Sequence, residues 1–547
     1  MSKIIKNPFE AIVIGSGATG GIAALTLAEL GVRVLVIEAG PFFNPKEALG
    51  SEPLNTFKRI RGILNSENKM QAQHPGFWKA NPDLYINEKE NRYKTPKNKP
   101  FIWTQGRQVG GRSLTWGGIT LRLSEENFKA SRVDNYGSEW PISYSELEEH
   151  YTAIEKLLSI HGNNDGLNQL PDGEYIKPLP FTDMEEEFKS KIFNSLNYKV
   201  IHSRGFGPHD INSDGYWPRS SSIGSSLAKA LKTGKVELLT NQIVEHIIIN
   251  KQQNLSTGVV MIDRLTQAKN KLNSKLIVLC ASTIQSIKIL LNSLENRRTQ
   301  GLIEPSGKLG SYLMDHISTC RFFSMPSNNI KKVTNQKLTG AGSFFIPFGN
   351  NPDKSNRVDF IRGYGIWGGI DRFDPPAFLK KKPQTKTGFL IGHGEVLAYE
   401  DNKVTLSNNL DKFGIPIPLI RCEWKENELK MVKHMNKTIE NCIKSAGGEI
   451  NQLKDLINLP FLNLLTKNAF ALQDSPPPPG YYVHEVGGAP MGSKRDISVL
   501  DKWNRLWECK NVLVVDGACW PTSAWQSPTL TMMALTRRAC IKAVKNY

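Results

Sequence analysis

The 547 residues contain no Cys-x-x-Cys pair, no internal repeat, and no uninterrupted apolar stretch near the ~18 residues that span a bilayer. Each absence removes a class of protein. The seven cysteines (Cys280, Cys320, Cys422, Cys442, Cys509, Cys519 and Cys540) are odd in number and widely scattered. That pattern excludes a disulfide framework and a cysteine zinc site, and it suits a reducing compartment. A net charge of +17 arises without any aromatic-interleaved basic helix. Nucleic-acid binding therefore has no motif behind it, and the charge reads as a solvated basic surface, with an anionic substrate or acidic partner as the alternative. The start of the chain, with Lys3 and Lys6 before Ala11 to Ala28, does not read as a signal peptide. Glu10 and five glycines between Gly15 and Gly31 interrupt the apolar region such a signal requires. A cytoplasmic protein without a transmembrane segment is expected. A hydrophobic fraction of 39% with 22% charged residues belongs to a globular chain, long enough for two or more domains.

What is present begins with the apolar run Ala11-Ile12-Val13-Ile14, which leads into Gly15-Ser16-Gly17-Ala18-Thr19-Gly20 and a helix-like segment to Leu30. A second apolar run, Val32 to Ile37, ends at Glu38. The pattern predicts a βαβ unit that binds a dinucleotide. Gly15 allows the tight turn, Gly17 the close approach of a pyrophosphate, and Gly20 helix–strand packing. Ala18 and Thr19 open the helix whose amino terminus faces the phosphates. Glu38 stands where a carboxylate can accept hydrogen bonds from ribose hydroxyls.

From Pro41 to Lys99 the chain reads as loops and short helices. A second glycine cluster, Gly106 to Gly118, contains Gly110-Gly111 and Gly117-Gly118 flanking Trp116, as suits backbone pressed against a flat ring. Trp140-Pro141-Ile142-Ser143 enters a predicted helix to about Ile160, with Ser143 to Glu146 as a capping box. Strands are predicted at Val236 to Leu239 and Ile243 to Ile249, the second carrying Val244 as a further cofactor contact. Leu276 to Cys280 reads as a buried strand followed by a helix over Ser282 to Leu291. Longer alternating strands between about Ser311 and Ser475 predict an antiparallel sheet. Pro476 to Pro479, with Gly480, reads as a stiff linker.

The ending is dense in chemistry. His484 adjoins the loop Gly487-Gly488, and the buried strand Val512 to Val515 ends at Asp516-Gly517. Ser527-Pro528-Thr529 then predicts a helix start, with Ser527 as amino cap and the helix running from about Thr529 to Val544. Such a helix end stabilises negative charge on a neighbouring cofactor ring. Of ten histidines, His484 alone lies between a glycine loop and the final strand–turn–helix, which marks it as a candidate base. Trp525 is either a stacking face for a ring substrate or a core residue.

These segments, with Gly310 to His316, resemble the glucose–methanol–choline (GMC) oxidoreductases from end to end. The resemblance implies an α/β plus α+β chain: a doubly wound, Rossmann-like FAD domain assembled from discontinuous segments, and a substrate domain built on an antiparallel sheet. The FAD domain is expected over 1–60, 95–135, 196–310 and 478–547, and the substrate domain over 61–94, 136–195 and 311–477. It also implies oxidation of a small-molecule alcohol such as a sugar or polyol, with hydride delivered to flavin N5 and His484 as catalytic base. Gly110, Gly111 and Ser113 would lie along the flavin, Asp516 and Gly517 would approach it from the final strand, and Pro528-Thr529 would face its pyrimidine side. Two departures stand out. Where the family usually has Asn or His before Pro-Thr-Leu-Thr, this chain has Ser527 preceded by Gln526, either of which is a candidate for the second catalytic position. No histidine occupies Ser113 to Trp116, so non-covalent FAD is expected. An NAD-dependent dehydrogenase, a lyase on the same fold, and an FAD-binding protein without turnover are the competing readings. The substrate, the electron acceptor and the oligomeric state are not legible.

Overall fold

The computed structural model describes residues 9–207, 217–327, 337–349, 358–373, 382–451 and 475–545. Its first layer is a six-stranded sheet whose order, by residue, is 505–506, 509–514, 276–279, 11–14, 34–37 and 236–239. All neighbours are parallel except the first pair. Strands Ala11–Ile14, Val34–Ile37 and Leu276–Leu279 are buried at every position, as uninterrupted apolar runs must be when helices cover both sheet faces. The helix Ala18–Glu29 packs against the helices Ser226–Lys232 and Thr529–Val544. Thus the first βαβ unit and the chain's last helix share one body.

Glycine is required at the turn between strand and helix. Gly15 has φ +102°, and a Cβ on Gly20 would overlap the Gly15 carbonyl oxygen. The helix can approach the strand only without that atom.

The second large sheet is antiparallel, in the order 449–450, 317–326, 385–394, 364–370, 344–349 and 201–202. The helix Glu426–Ser445 covers one face, burying Met431, Val432, Met435 and Ile439. The other face carries Cys320, Trp367 and Ile391 to a cavity shared with the parallel-sheet body. A three-stranded sheet over 242–250, 255–263 and 269–273, and a hairpin over 403–410 and 416–421, complete the strands among the described residues. Part of the predicted 311–475 region lies outside the described residues. No helix among the described residues is long and apolar enough to cross a membrane, and none of their His, Cys, Asp and Glu groups could hold a metal ion. All seven cysteines are free and buried.

Two predicted caps differ in the structure. Ser527 does not cap the last helix. The N-cap position is taken by Pro528, whose ring sets φ at −76° and which lacks an N–H, so the helix begins on it and leaves Ser527 outside. Half of the predicted capping box at Ser143 forms: Glu146 accepts from the Ser143 N–H at 3.1 Å, while no side chain caps the helix Ser145–Leu158. The proline linker is pinned at both sides. Ile102 N–H donates to the Pro479 carbonyl at 2.9 Å, and the Trp424 indole donates to that of Pro477 at 2.7 Å.

Candidate active site

One cavity of about 690 Å³ runs from the first strand's end to the face of the antiparallel sheet. Gly15, Gly17, Ala18, Thr19, Glu38, Gly111, Ser113, Val244, His484, Asp516, Gly517, Ser527, Pro528 and Thr529 all line it. Gly20 lies behind, within the helix, and Gly110 is turned so that its N–H receives support from the Ser16 hydroxyl oxygen at 3.0 Å. Two expected positions are also away from the wall. Trp525, 1% exposed, packs with Leu121, Leu170, Ile201 and Phe345. Gln526 is fully buried, its amide donating to Asn127 Oδ1 and to the Gln169 carbonyl, each at 3.0 Å.

At the first end of the cavity a small residue that pattern reading passed over acts as a junction. The Ser16 hydroxyl donates to Glu38 Oε2 at 2.6 Å and accepts from Gly110, while the Ser16 carbonyl accepts from Ser222 Oγ at 2.6 Å. Gly40 N–H donates to Glu38 Oε1 at 2.9 Å. Burial pushes the Glu38 carboxyl up, and these hydrogen bonds with the nearby Arg107 charge oppose that shift. Ser113, through its hydroxyl, donates to the Gly110 carbonyl at 2.5 Å and accepts from Ser222 N–H at 2.9 Å. The two glycine-rich loops are therefore bonded to each other before any ligand is considered.

The residues at this end fit an adenine dinucleotide. A Cβ built on Gly17 would meet only the Gly110 carbonyl, at 3.9 Å. Protein packing does not require glycine there, and the position stands open at the cavity wall. The helix that follows has no capping side chain and no acidic residue in its first turn, so its amino-terminal N–H groups are available to an anion. At the far side Asp516 accepts from Ala518 N–H at 3.0 Å and from the Ser286 hydroxyl, and burial pushes its carboxyl up to about 6.

At the other end the His484 loop is held by a buried aspartate. Asp315 accepts backbone N–H bonds from Gly480 at 2.8 Å, Tyr482 at 3.3 Å and His484 at 2.9 Å. Between the last two donors Val483 has φ +65°, a conformation that costs a β-branched residue on the order of 1–3 kcal/mol. Arg112 holds the strained unit from the opposite side, donating to the Val483 carbonyl at 3.3 Å and to Glu485 Oε2 at 2.7 Å.

The His484 ring is fixed by its hydrogen bonds. His316 Nε2 lies 2.5 Å from the Ala524 carbonyl, which can only accept, so that nitrogen carries the proton. In neutral His316, Nδ1 is then an acceptor. Its partner, 3.0 Å away, is His484 Nδ1, which must be the donor. Neutral His484 consequently has a bare Nε2, for which the described residues supply no hydrogen-bond partner, on a residue that lines the cavity. Such a nitrogen can take up a proton. Burial lowers both rings, His316 to about 4 and His484 well below the usual histidine range, with the neighbouring His316, His393 and Arg112 adding to the effect at His484. Tyr482 stacks on His393 and meets His484 edge-on, which completes an aromatic box.

Asp315 offers a pH test. Burial and the neighbouring Glu485 charge raise it to about 7. Its proton is therefore shed as pH rises through about 7, and the ionised form accepts the three N–H bonds that hold the loop. Activity is expected to rise a few-fold through that pH, and Asp315→Asn should abolish the inflection while lowering the plateau. A variant that kept the inflection would remove Asp315 from this role.

Comparison with known proteins shows what the chain is similar to. Models of the GMC oxidoreductase family match residues 9–318 with the amino-terminal domain and 398–536 with the carboxy-terminal domain. The chain is 24% identical to 2-methyl-1,2-propanediol dehydrogenase of Mycolicibacterium austroafricanum, covering 97% of this chain and 94% of that protein. It is 23% identical to the fructose dehydrogenase large subunit of Gluconobacter japonicus, covering 97% and 96%. Paromamine 6'-oxidase of Streptomyces fradiae is 24% identical, with coverage of 98% and 91%. Among solved structures, formate oxidase of Aspergillus oryzae superposes with a TM-score of 0.65 at 14% identity, over 99% of both chains.

Proposed function

Because this chain belongs to the GMC oxidoreductase family, whose enzymes use FAD, we propose that it oxidises a primary or secondary alcohol, of the sugar or polyol class, with His484 as general base. When bound, FAD supplies the acceptor for the hydride that leaves the substrate carbon. The observation that carries the reading is the bare Nε2 of His484, held in that tautomer by the link from Ala524 through His316. Nε2 takes the hydroxyl proton, and the imidazolium that results keeps its Nδ1–H bond to His316. Asp315, bonded to the His484 backbone N–H, holds the segment that carries the ring. With its pKa held well below 6.5, His484 remains neutral, and competent as a base, through the whole physiological range.

Gly17, the first helix start and Glu38 hold the dinucleotide. Gly110, Gly111 and Ser113 hold the ring system with Asp516, Gly517, Pro528 and Thr529, and Val244 adds an adenine-side contact. FAD is bound non-covalently, since the segment Ser113 to Trp116 supplies no histidine. Ser527, on the cavity wall, takes the second catalytic position rather than the buried Gln526. The sugar or polyol assignment rests on the substrates in the names of the propanediol and fructose dehydrogenases and of the paromamine oxidase. Seven free cysteines favour a cytoplasmic setting.

The test is anaerobic mixing of the FAD-loaded protein with sugars, polyols, aromatic alcohols and amino alcohols. Bleaching of the flavin by one class is expected, and readmitted air then separates oxidase from dehydrogenase. Turnover of an alcohol without bleaching would overturn the reading in favour of a non-redox reaction.

His316 is assigned as a positioning residue. His316→Ala removes the acceptor that selects the His484 tautomer, so flavin reduction should slow by on the order of 10-fold or more with FAD content unchanged, consistent with misplacing part of a base's contribution. His316→Asn, with a carbonyl near the position of Nδ1, should recover part of the rate. Equal rates in the two variants would leave only a packing role.

A further inference from the structure

The helix Glu52–Leu64 is inverted relative to an ordinary surface helix, which buries its apolar stripe and exposes its polar one. Here the buried positions are Asn55, Arg59 and Gly62. Leu54 (48% exposed), Phe57 (62%), Ile60 (51%) and Leu64 (78%) face outward. At 100° per residue the outward set is centred almost diametrically opposite the buried set. The inner face is tied down by its donors: Asn55 Nδ2 donates to the Leu49 carbonyl at 3.1 Å, and Arg59 donates to the carbonyls of Phe77 at 3.3 Å and Ala80 at 2.8 Å. The helix cannot simply roll to hide its apolar side without breaking those bonds.

We propose that this face is a docking surface for an anionic lipid membrane, on which the helix lies in the plane of the interface. Three observations favour lipid over a protein partner. The outward arc is made almost wholly of aliphatic and aromatic side chains and offers few hydrogen-bonding groups, whereas protein interfaces carry roughly one hydrogen bond per 100–200 Å². Exposed Arg61 lies within the arc, and with exposed Lys46 and Lys69 beside the helix in sequence it outnumbers the exposed acids Glu47 and Glu52, the second of which is paired with Arg59, while the chain as a whole carries +17. Exposed Phe42 and Leu49 precede the helix and extend its apolar character. An apolar face with basic flanks is the composition that binds at the headgroup level of anionic bilayers. Arg59 ties this helix to the segment containing Phe77 and Ala80, and His74, Gly76 and Ala80 of that segment line the cavity. Docking therefore places the helix on the membrane with this wall of the cavity behind it.

The test is flotation of the full-length, FAD-loaded protein with phosphatidylcholine vesicles prepared with and without phosphatidylglycerol. The wild-type chain is expected to float with the anionic vesicles, less so as salt is raised, and to stay behind with the neutral ones. The triple variant L54S/F57S/L64S should lose flotation while keeping its FAD content, far-ultraviolet circular dichroism and melting temperature. A wild-type protein that does not float, or a variant that floats as well as wild type, would overturn the proposal. So would a wild-type dimer in sedimentation velocity that the triple variant converts to monomer without any flotation, since the stripe would then be a self-association surface.

Discussion

His484→Ala is expected to purify with its FAD and to lose flavin reduction by alcohol by on the order of 10²-fold or more, the contribution of a positioned general base. The cofactor should remain because His484 is not among the residues to which the proposal assigns the dinucleotide, Gly15 to Thr19 with Glu38, all of which also line the cavity. The rate should fall because, in the proposed mechanism, the bare Nε2 accepts the proton, and the hydrogen-bond chain leaves it bare: Ala524 fixes the proton on His316 Nε2, and His316 fixes the proton on His484 Nδ1. Without it the hydroxyl proton has no acceptor, and the alkoxide character that favours hydride departure does not develop. The measurement is stopped-flow reduction under anaerobic conditions. Unchanged reduction kinetics would take His484 out of the mechanism.

Gly17→Val is expected to give a folded, colourless protein. Gly17 has φ −69°, which any residue adopts, and the nearest atom to an added Cβ is the Gly110 carbonyl oxygen at 3.9 Å. Folding therefore tolerates a side chain. The ligand does not, because that space lies at the amino end of the first helix, where a pyrophosphate must come close to the backbone. Gly17→Ala should show the same loss in weaker form. Occupancy and melting temperature, measured together on the purified proteins, separate the two effects. Wild-type FAD content in Gly17→Val would place the phosphates elsewhere, and a collapsed melting temperature would mean that Gly17 serves packing.

The contrast between Gly17 and Gly20 also shows what was legible in the chain. Both glycines belong to one short motif, and the packing duty expected of Gly20 is seen in the structure, where a Cβ would overlap the Gly15 carbonyl oxygen. The strands Ala11–Ile14 and Leu276–Leu279 were readable because continuous apolar runs bounded by glycine or serine leave few alternatives. The last helix, Thr529–Val544, was readable from proline at its start. The capping of that helix was not, because serine before proline suggests a cap that the proline itself displaces. Trp525 and Gln526 point away from the cavity because residues 521–528 form a series of bends. Strand-like alternation with Ser527 does not apply there.

The Asp315-His316 pair was the largest gap in the site. It lies 168 residues from His484 and reaches it only because the start of the antiparallel sheet closes against the final loop. Its resemblance to a family segment was visible, but its two duties were not: one carboxylate holding three backbone N–H groups, and one imidazole choosing a tautomer. Ser16 was hidden for a different reason. Within a glycine motif it reads as filler, yet its hydroxyl joins Glu38 to Gly110. Both cases involve side chains whose partners are distant in sequence, which no local pattern encodes.

The most direct test of the central claim is the anaerobic rate at which the flavin band near ~450 nm, the range of an oxidised flavin cofactor, bleaches with an alcohol and with the same alcohol deuterated at the carbinol carbon. The account predicts bleaching by both, slower with the deuterated substrate, because the C–H bond breaks as His484 removes the hydroxyl proton. Bleaching at equal rates with the two substrates in the pre-steady state, or no bleaching by any alcohol in a fully FAD-loaded protein, would contradict it.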